Sequence, residues 1–162
     1  MIDVLFEQRV VQNPALGAET IWHAVHEAYE LNGRTEGVPL ILAFVVLPLT
    51  FHKRTAIALA SKSRPGAIYK AIAEDRELTV GLQERMQALS DCTFQSLSIG
   101  FSTGLLLLDH ADVPELLPGR RTPPVVHVTE DVKVMLKAAK RVGQTFAELP
   151  PEQIATHLNI KY

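Results

Sequence analysis

The sequence predicts a mainly α chain, α+β in class, in which helices surround a small β-ribbon. Three observations carry this. Apolar residues recur at helical spacing in most segments between Asn13 and Leu158. The period changes after Gly104, where two short apolar runs are separated by Asp109-His110 and closed by Pro118-Gly119. That is the pattern of a strand pair. Between Val38 and Phe51 lies VPLILAFVVLPLTF, in which only Thr50 is polar. Neither a helical nor a strand alternation leaves this run a polar face, so it has to be buried on all sides at the centre of the core. At about 14 residues it is shorter than the roughly 20 that a bilayer requires. It stops abruptly at His52-Lys53-Arg54.

The elements follow in order. Asn13 caps a first helix, and Pro14 sits in its first turn, where a missing N–H costs nothing. Ala18, Ile21, Trp22, Val25, Ala28 and Tyr29 form its apolar face, and Asn32-Gly33 ends it. In the apolar run, Pro39 suits the first turn of a short helix that Pro48 ends. A buried strand is the alternative, favoured by Val45 and Val46 but not by Leu40, Leu42 and Ala43. Residues 55–62 read as another short helix. Ser63 caps the next, with Pro65 just inside and Ile68, Tyr69 and Ile72 apolar. Residues 77–89 form an amphipathic helix on Leu78, Leu82, Met86 and Leu89. Asp91 or Thr93 starts one more, carrying Phe94, Leu97, Ser98 and Phe101.

Strands are expected over Leu105 to Leu108 and Val113 to Leu117, with a further one over Val125 to Val128 after Pro123-Pro124. Thr129 then caps a long helix, whose Glu130 and Asp131 favour the positive end of its dipole. Pro150-Pro151 stops it, and a short helix over 152–158 closes the chain. Three short helices followed by a ribbon, from Ser63 to Leu117, is the order of a winged helix, though other helix-rich folds can imitate it. The expected organisation is a single domain over 1–162. It has a helical part (13–62), a winged-helix-like part (63–128) and C-terminal helices (129–158).

The composition of the 162 residues, 47% hydrophobic and 21% charged, is that of a globular protein rather than a disordered one. A formal net charge of −2 excludes a generally basic nucleic-acid binder but leaves room for a local basic patch. The only cysteine, Cys92, has no partner for an internal disulfide, which fits a reducing cytoplasm. The start MIDVLFEQRV lacks the basic and apolar regions of a signal peptide, and no membrane association is expected.

Candidate chemistry is sparse. Gly100-Phe101-Ser102-Thr103-Gly104 matches G-x-S-x-G, but a nucleophile elbow needs a strand before the serine and a helix after it. Here the order is reversed, and a helix end turning into a strand at Gly104 explains the glycine better. His23, His26 and Glu27 share one helical turn, yet H-E-x-x-H is absent and no second cluster supplies further metal ligands. Cys92 lies beside Asp91, without the basic neighbour that activates a thiol. Neither a Walker A sequence nor G-x-G-x-x-G occurs, so no cofactor is expected.

The strongest polar candidate is the basic group His52, Lys53, Arg54, Lys62 and Arg64. It is either a solvated face or a contact site for an acidic partner or phosphate backbone. Arg120 and Arg121, near the wing, are a possible nucleic-acid contact. Against DNA reading, Thr93 to Thr103 contains no Lys or Arg, although affinity for DNA comes largely from neutralising phosphates.

Taken together, Asn13-Pro14-Ala15 and the segment from Val38 to Thr55 resemble a known pattern. It is an N-P-A helix start followed by P-L-x-L-x-F-x-V-L-P-L-x-x-H-K-x-T, with His52, Lys53 and Thr55 in place. Ser102 to Leu106 (STGLL), then Ala139, Lys140, Gly143, Phe146, Ala147 and Ile154, and the ending Leu158-Asn159-Ile160 continue it in the same order. The pattern is that of the middle component of bacterial three-component ABC systems, which the chain resembles over most of its length. It departs at Arg54, where proline is expected, and at Asn159, where glycine is expected. The resemblance implies a non-catalytic adaptor that joins an SMC/Rad50-like ABC ATPase to an effector subunit in defence against phage or other mobile DNA. DNA is then reached, if at all, through the complex. A winged-helix DNA-binding regulator or sensor is the alternative. The oligomeric state is left open.

Overall fold

A computed structural model describes residues 13–124 and 128–162. The described part is mainly helical, with a small three-stranded antiparallel sheet. Helix α1 spans Pro14–Leu31. The Leu16 N–H donates to Asn13 Oδ1 at 3.0 Å, as the cap residue foretold. This contact sits on a helix end whose N–H groups otherwise lack partners. Asn13→Ala is therefore expected to cost about 1 kcal/mol of stability, read as a shifted urea midpoint at unchanged slope.

The chain then forms strand β1, Val38–Pro39, a 3₁₀ turn, Leu40–Leu42, and helix α2, Ala43–Thr50. The expectation of a helix holds for the second half of the apolar run, but both prolines stand elsewhere than expected. Pro39 lies in an edge strand, where a residue without an N–H is tolerated. Pro48 does not end α2 but lies inside it. It cannot return a hydrogen bond to the Phe44 carbonyl. The burial of Val45, Val46, Leu47 and Leu49, each no more than 2% exposed, offsets that loss. The Pro48 carbonyl accepts from Arg85 Nε at 3.2 Å.

Helix α3, Lys53–Ala60, follows α2 at a bend of 102°. It begins two residues before the expected start, so the basic step forms its first turn. Among the described residues, no single helix is long and apolar enough to cross a membrane.

Helix α4 runs over Ala67–Glu74 and does not start at Ser63-Pro65. Gly66, left-handed at φ 72°, precedes it and sets the start. The helix expected over 77–89 is split into a 3₁₀ turn, Arg76–Thr79, and helix α5, Leu82–Ala88. Gly81, at φ 74°, interrupts the helical path between them. Helix α6, Ser90–Thr103, leads through Gly104 into strand β2, Leu106–Asp109, and strand β3, Glu115–Pro118.

The sheet order is β1-β3-β2, with Val38 opposite Leu116 and Leu107 opposite Leu117. The expected ribbon is present, and β1 adds a third strand from far upstream. Of the strand expected over Val125 to Val128, the first three residues lie outside the described residues, and Val128 is not in a strand. Helix α7, Glu130–Glu148, is capped by Thr129, and helix α8, Pro151–Leu158, starts at the second of the paired prolines.

One apolar cluster joins these elements. It runs from Ile21 and Val25 of α1 through Leu42, Val46 and Leu47 to Leu106 and Leu116 of the sheet. It continues to Met135 and Val142 of α7 and Ile154 of α8. Helix α1 packs between α6 and α7. The contact with α7 is close. A Cβ placed on Gly143 would lie 2.2 Å from the Ala24 carbonyl oxygen, so only glycine lets the two backbones approach this far.

Candidate functional site

The basic step is built on the corner between α2 and α3. His52 is the N-cap residue of α3, and its Nδ1 and the hydroxyl of buried Thr55 form a 2.8 Å hydrogen bond across the first turn. Arg54 reaches across to the turn after α4. Its Nη2 lies 2.6 Å from Asp75 Oδ2, and its Nη1 lies 3.1 Å from Glu77 Oε2. Those bonds, with Asp75 first, push the guanidinium further towards its charged form. Lys62 is bonded to Glu74, and Arg64 Nε lies 3.5 Å from Glu148 Oε1. The second Glu148 oxygen accepts from the Gly66 N–H at 3.1 Å. Lys53 is half-buried in the first turn of α3. Three cations of the expected patch thus meet carboxylates of the same chain, and they tie α3, α4 and α7 together at the surface.

Arg120 and Arg121 follow β3. The Arg121 N–H donates to the Gly104 carbonyl at 3.1 Å, which holds the pair at the base of the ribbon beside the C-terminus of α6. The tip of the ribbon instead carries Asp109, His110 and Asp112. A ribbon with acidic residues at its tip repels phosphates there, and the two arginines stand at its other end.

The outer face of α6 differs from both basic groups. Thr93, Ser96, Leu97 and Gly100 face the core, while Phe94, Gln95, Ser98, Phe101 and Ser102 are exposed. Phe94 is 61% exposed and meets Phe44 edge-on, with ring centroids 5.0 Å apart. Beside it runs a groove of about 330 Å³ lined by Ile41, Phe44, Gln83, Met86, Gln87, Ser90, Lys161 and Tyr162. Ile41 and Tyr162 are exposed as well. An aromatic surface with so little charge, Asp91 at the start of α6 and Lys161 on the groove, suits a protein partner, because apolar area gains from leaving water and a single lysine neutralises little phosphate.

The remaining candidates resolve simply. Ser102 lies in the last turn of α6 and donates to the Ile99 carbonyl at 3.2 Å, with helix before it and strand after it. Burial pushes the Cys92 thiol up, away from the reactive thiolate. Among the described residues no three His, Cys, Asp or Glu side chains stand together as metal ligands.

His23 is pushed down to about 4 by burial first, then by Lys140 and His26. It therefore stays neutral in the folded chain while an unfolded histidine binds a proton below about 6.5. Its contribution to stability is complete above that value and is lost as the pH falls towards 4. His23→Gln is expected to flatten the fall of the melting temperature between those values, measured by circular dichroism across the pH range.

A family model for the ABC-three component (ABC-3C) system Middle Component 3 matches residues 2–162. The chain belongs to this family. No curated protein and no solved structure matches it. As a middle component of an ABC-3C system, it associates with the other components of that system. The fold explains how this member accommodates its two departures. Asn159 is left-handed, at φ 53°, a conformation that glycine adopts freely and asparagine better than most residues. Arg54 is the second residue of α3, where a proline loses no helical hydrogen bond. Here arginine uses the position for its two carboxylates. The feature missed in the sequence is the exposed pair Phe94 and Phe101, seven residues apart. The polar residues Gln95, Ser98 and Ser102 on the same side were the available signal.

Proposed function

We propose that this middle component is a non-catalytic adaptor that couples an SMC-like ABC ATPase to an effector subunit, in a cytoplasmic system directed against phage or other mobile DNA. The observation that carries this reading is the exposed aromatic face of α6, Phe94 and Phe101, with its adjoining groove, which we assign to the ATPase. The basic group at His52, Lys53, Arg54, Lys62 and Arg64 plays a supporting part at the rim of partner contacts. Arg54, Lys62 and Arg64 already hold carboxylates, so a partner's acid exchanges one exposed ion pair for another and gains little. The reading supplies no reaction centre to the chain, and chemistry resides in the other components.

The test is co-expression of the tagged chain with the ATPase and effector encoded beside it. Both are expected to be retained with the tag. Recovery of the chain without either would end the proposal.

A second reading, duplex binding at Arg120 and Arg121, draws on their exposure and on the absence of carboxylate partners for them among the described residues. It requires binding that weakens with salt and with charge reversal at both positions.

A further inference from the structure

The groove between α1 and α7 carries a separate site. It holds about 490 Å³ and is lined by His23 of α1 and by Lys133, Leu136, Lys137, Lys140, Arg141 and Gln144 of α7. The five polar positions of α7 follow one another at helical spacing, so they form a stripe about 16 Å long. Lys133 is paired with Glu130 at 3.0 Å, but Lys137 and Lys140 have no carboxylate partner among the described residues. Arg141 donates to Gln144 through Nη1 at 3.1 Å, while its Nε is buried without a hydrogen-bond partner. Three cations therefore concentrate beside one half-buried leucine, in a chain whose net charge is −2.

We propose that this groove docks an acidic segment of a partner protein, with carboxylates on Lys137, Lys140 and Arg141 and an apolar side chain on Leu136. Charge complementarity selects the acidic chemistry, and the α1 wall selects peptide over nucleic acid. Glu27 Oε1 accepts from Gln144 Nε2 at 3.0 Å, and Glu19 lies 3.8 Å from His23. Neither glutamate lines the groove, but each stands next to a lining residue, and a continuous phosphate backbone running along α1 has to pass both. A peptide can place neutral residues there. The proposal is independent of the α6 face and concerns a second contact surface on another part of the molecule.

The test uses the full chain with a short peptide of glutamates and leucines as probe and a short DNA duplex as comparison. Saturable peptide binding is expected. It should weaken at least about tenfold in the double variant Lys137→Glu, Lys140→Glu and be retained in Lys137→Arg, Lys140→Arg. Both lysines are exposed, so the melting temperature of either variant stays near that of the parent, which separates a docking role from a structural one. The His23 ring signals in a proton NMR spectrum should move as the peptide is added. Absence of saturable binding, equal binding by the charge-reversed variant, unmoved His23 signals, or tighter binding of the duplex than of the peptide through the same lysines would each overturn the proposal.

Discussion

On the proposed assignment of the α6 face to the ATPase, Phe94→Asp is expected to weaken that association by about 30-fold or more while leaving the chain folded. Two magnitudes decide this. Phe94 is 61% exposed, so its removal opens no core cavity. The fold loses its edge contact with Phe44, worth about 1 kcal/mol, and the partial cover of a ring that is mostly in water. At the proposed interface the same ring would be a central aromatic anchor, and truncating such an anchor costs about 2 kcal/mol or more. The aspartate adds the desolvation of a charge. Binding is therefore hit harder than stability. Phe101→Asp, one half of the same pair, is expected to act in the same direction, and Gln95→Ala to change little. Binding measured by titration calorimetry, beside a thermal melt of each variant, checks the difference. Equal affinity of Phe94→Asp and the parent would remove α6 from the interface.

Gly143→Ala is expected to destabilise the protein by about 3 kcal/mol, although the same change in an ordinary helix helps by roughly 1 kcal/mol. The added methyl would lie 2.2 Å from the Ala24 carbonyl oxygen and 2.9 Å from its Cα. Both are backbone atoms, and neither can swing aside as the end of a long side chain can. The α1–α7 contact has to open, and Ile21, Val25 and Val142 of the common core loosen with it. The overpacking exceeds the gain in propensity, so the sign is reversed. A drop in melting temperature on the order of 10 °C is the expected reading for a chain of this size. A neutral or stabilised Gly143→Ala protein would show that the two helices do not approach this closely.

Much of the fold is written locally and could be read that way. Asn13-Pro14, Thr129 and the paired prolines 150 and 151 mark helix ends by their own chemistry, and the structure places those ends within a residue or two. The β2–β3 ribbon closes over a short loop and has a local pattern too. What was hidden depends on distant partners. β1 is two residues long, and the Gly37 N–H beside it reaches a Glu115 carboxylate 78 residues away. Nothing near Pro39 announces a strand. Gly66 and Gly81 interrupt helices because each adopts a left-handed conformation, whereas the apolar spacing around them reads as continuous.

The basic group shows the same limit. His52, Lys53 and Arg54 are adjacent in sequence and read as a patch. The carboxylates that take up Arg54 stand 21 and 23 residues further on. Phe94 and Phe101 read equally well as core residues, because exposure of an aromatic side chain is decided by what the helix packs against, here on its Leu97 side.

The most direct test of the adaptor reading is the association of the ATPase with the effector, measured by size-exclusion chromatography with light scattering, with and without this chain. The expected result is that the two elute separately by themselves and form one larger species when the chain is added. Stable association of ATPase and effector in its absence, unchanged by its addition, would contradict the account.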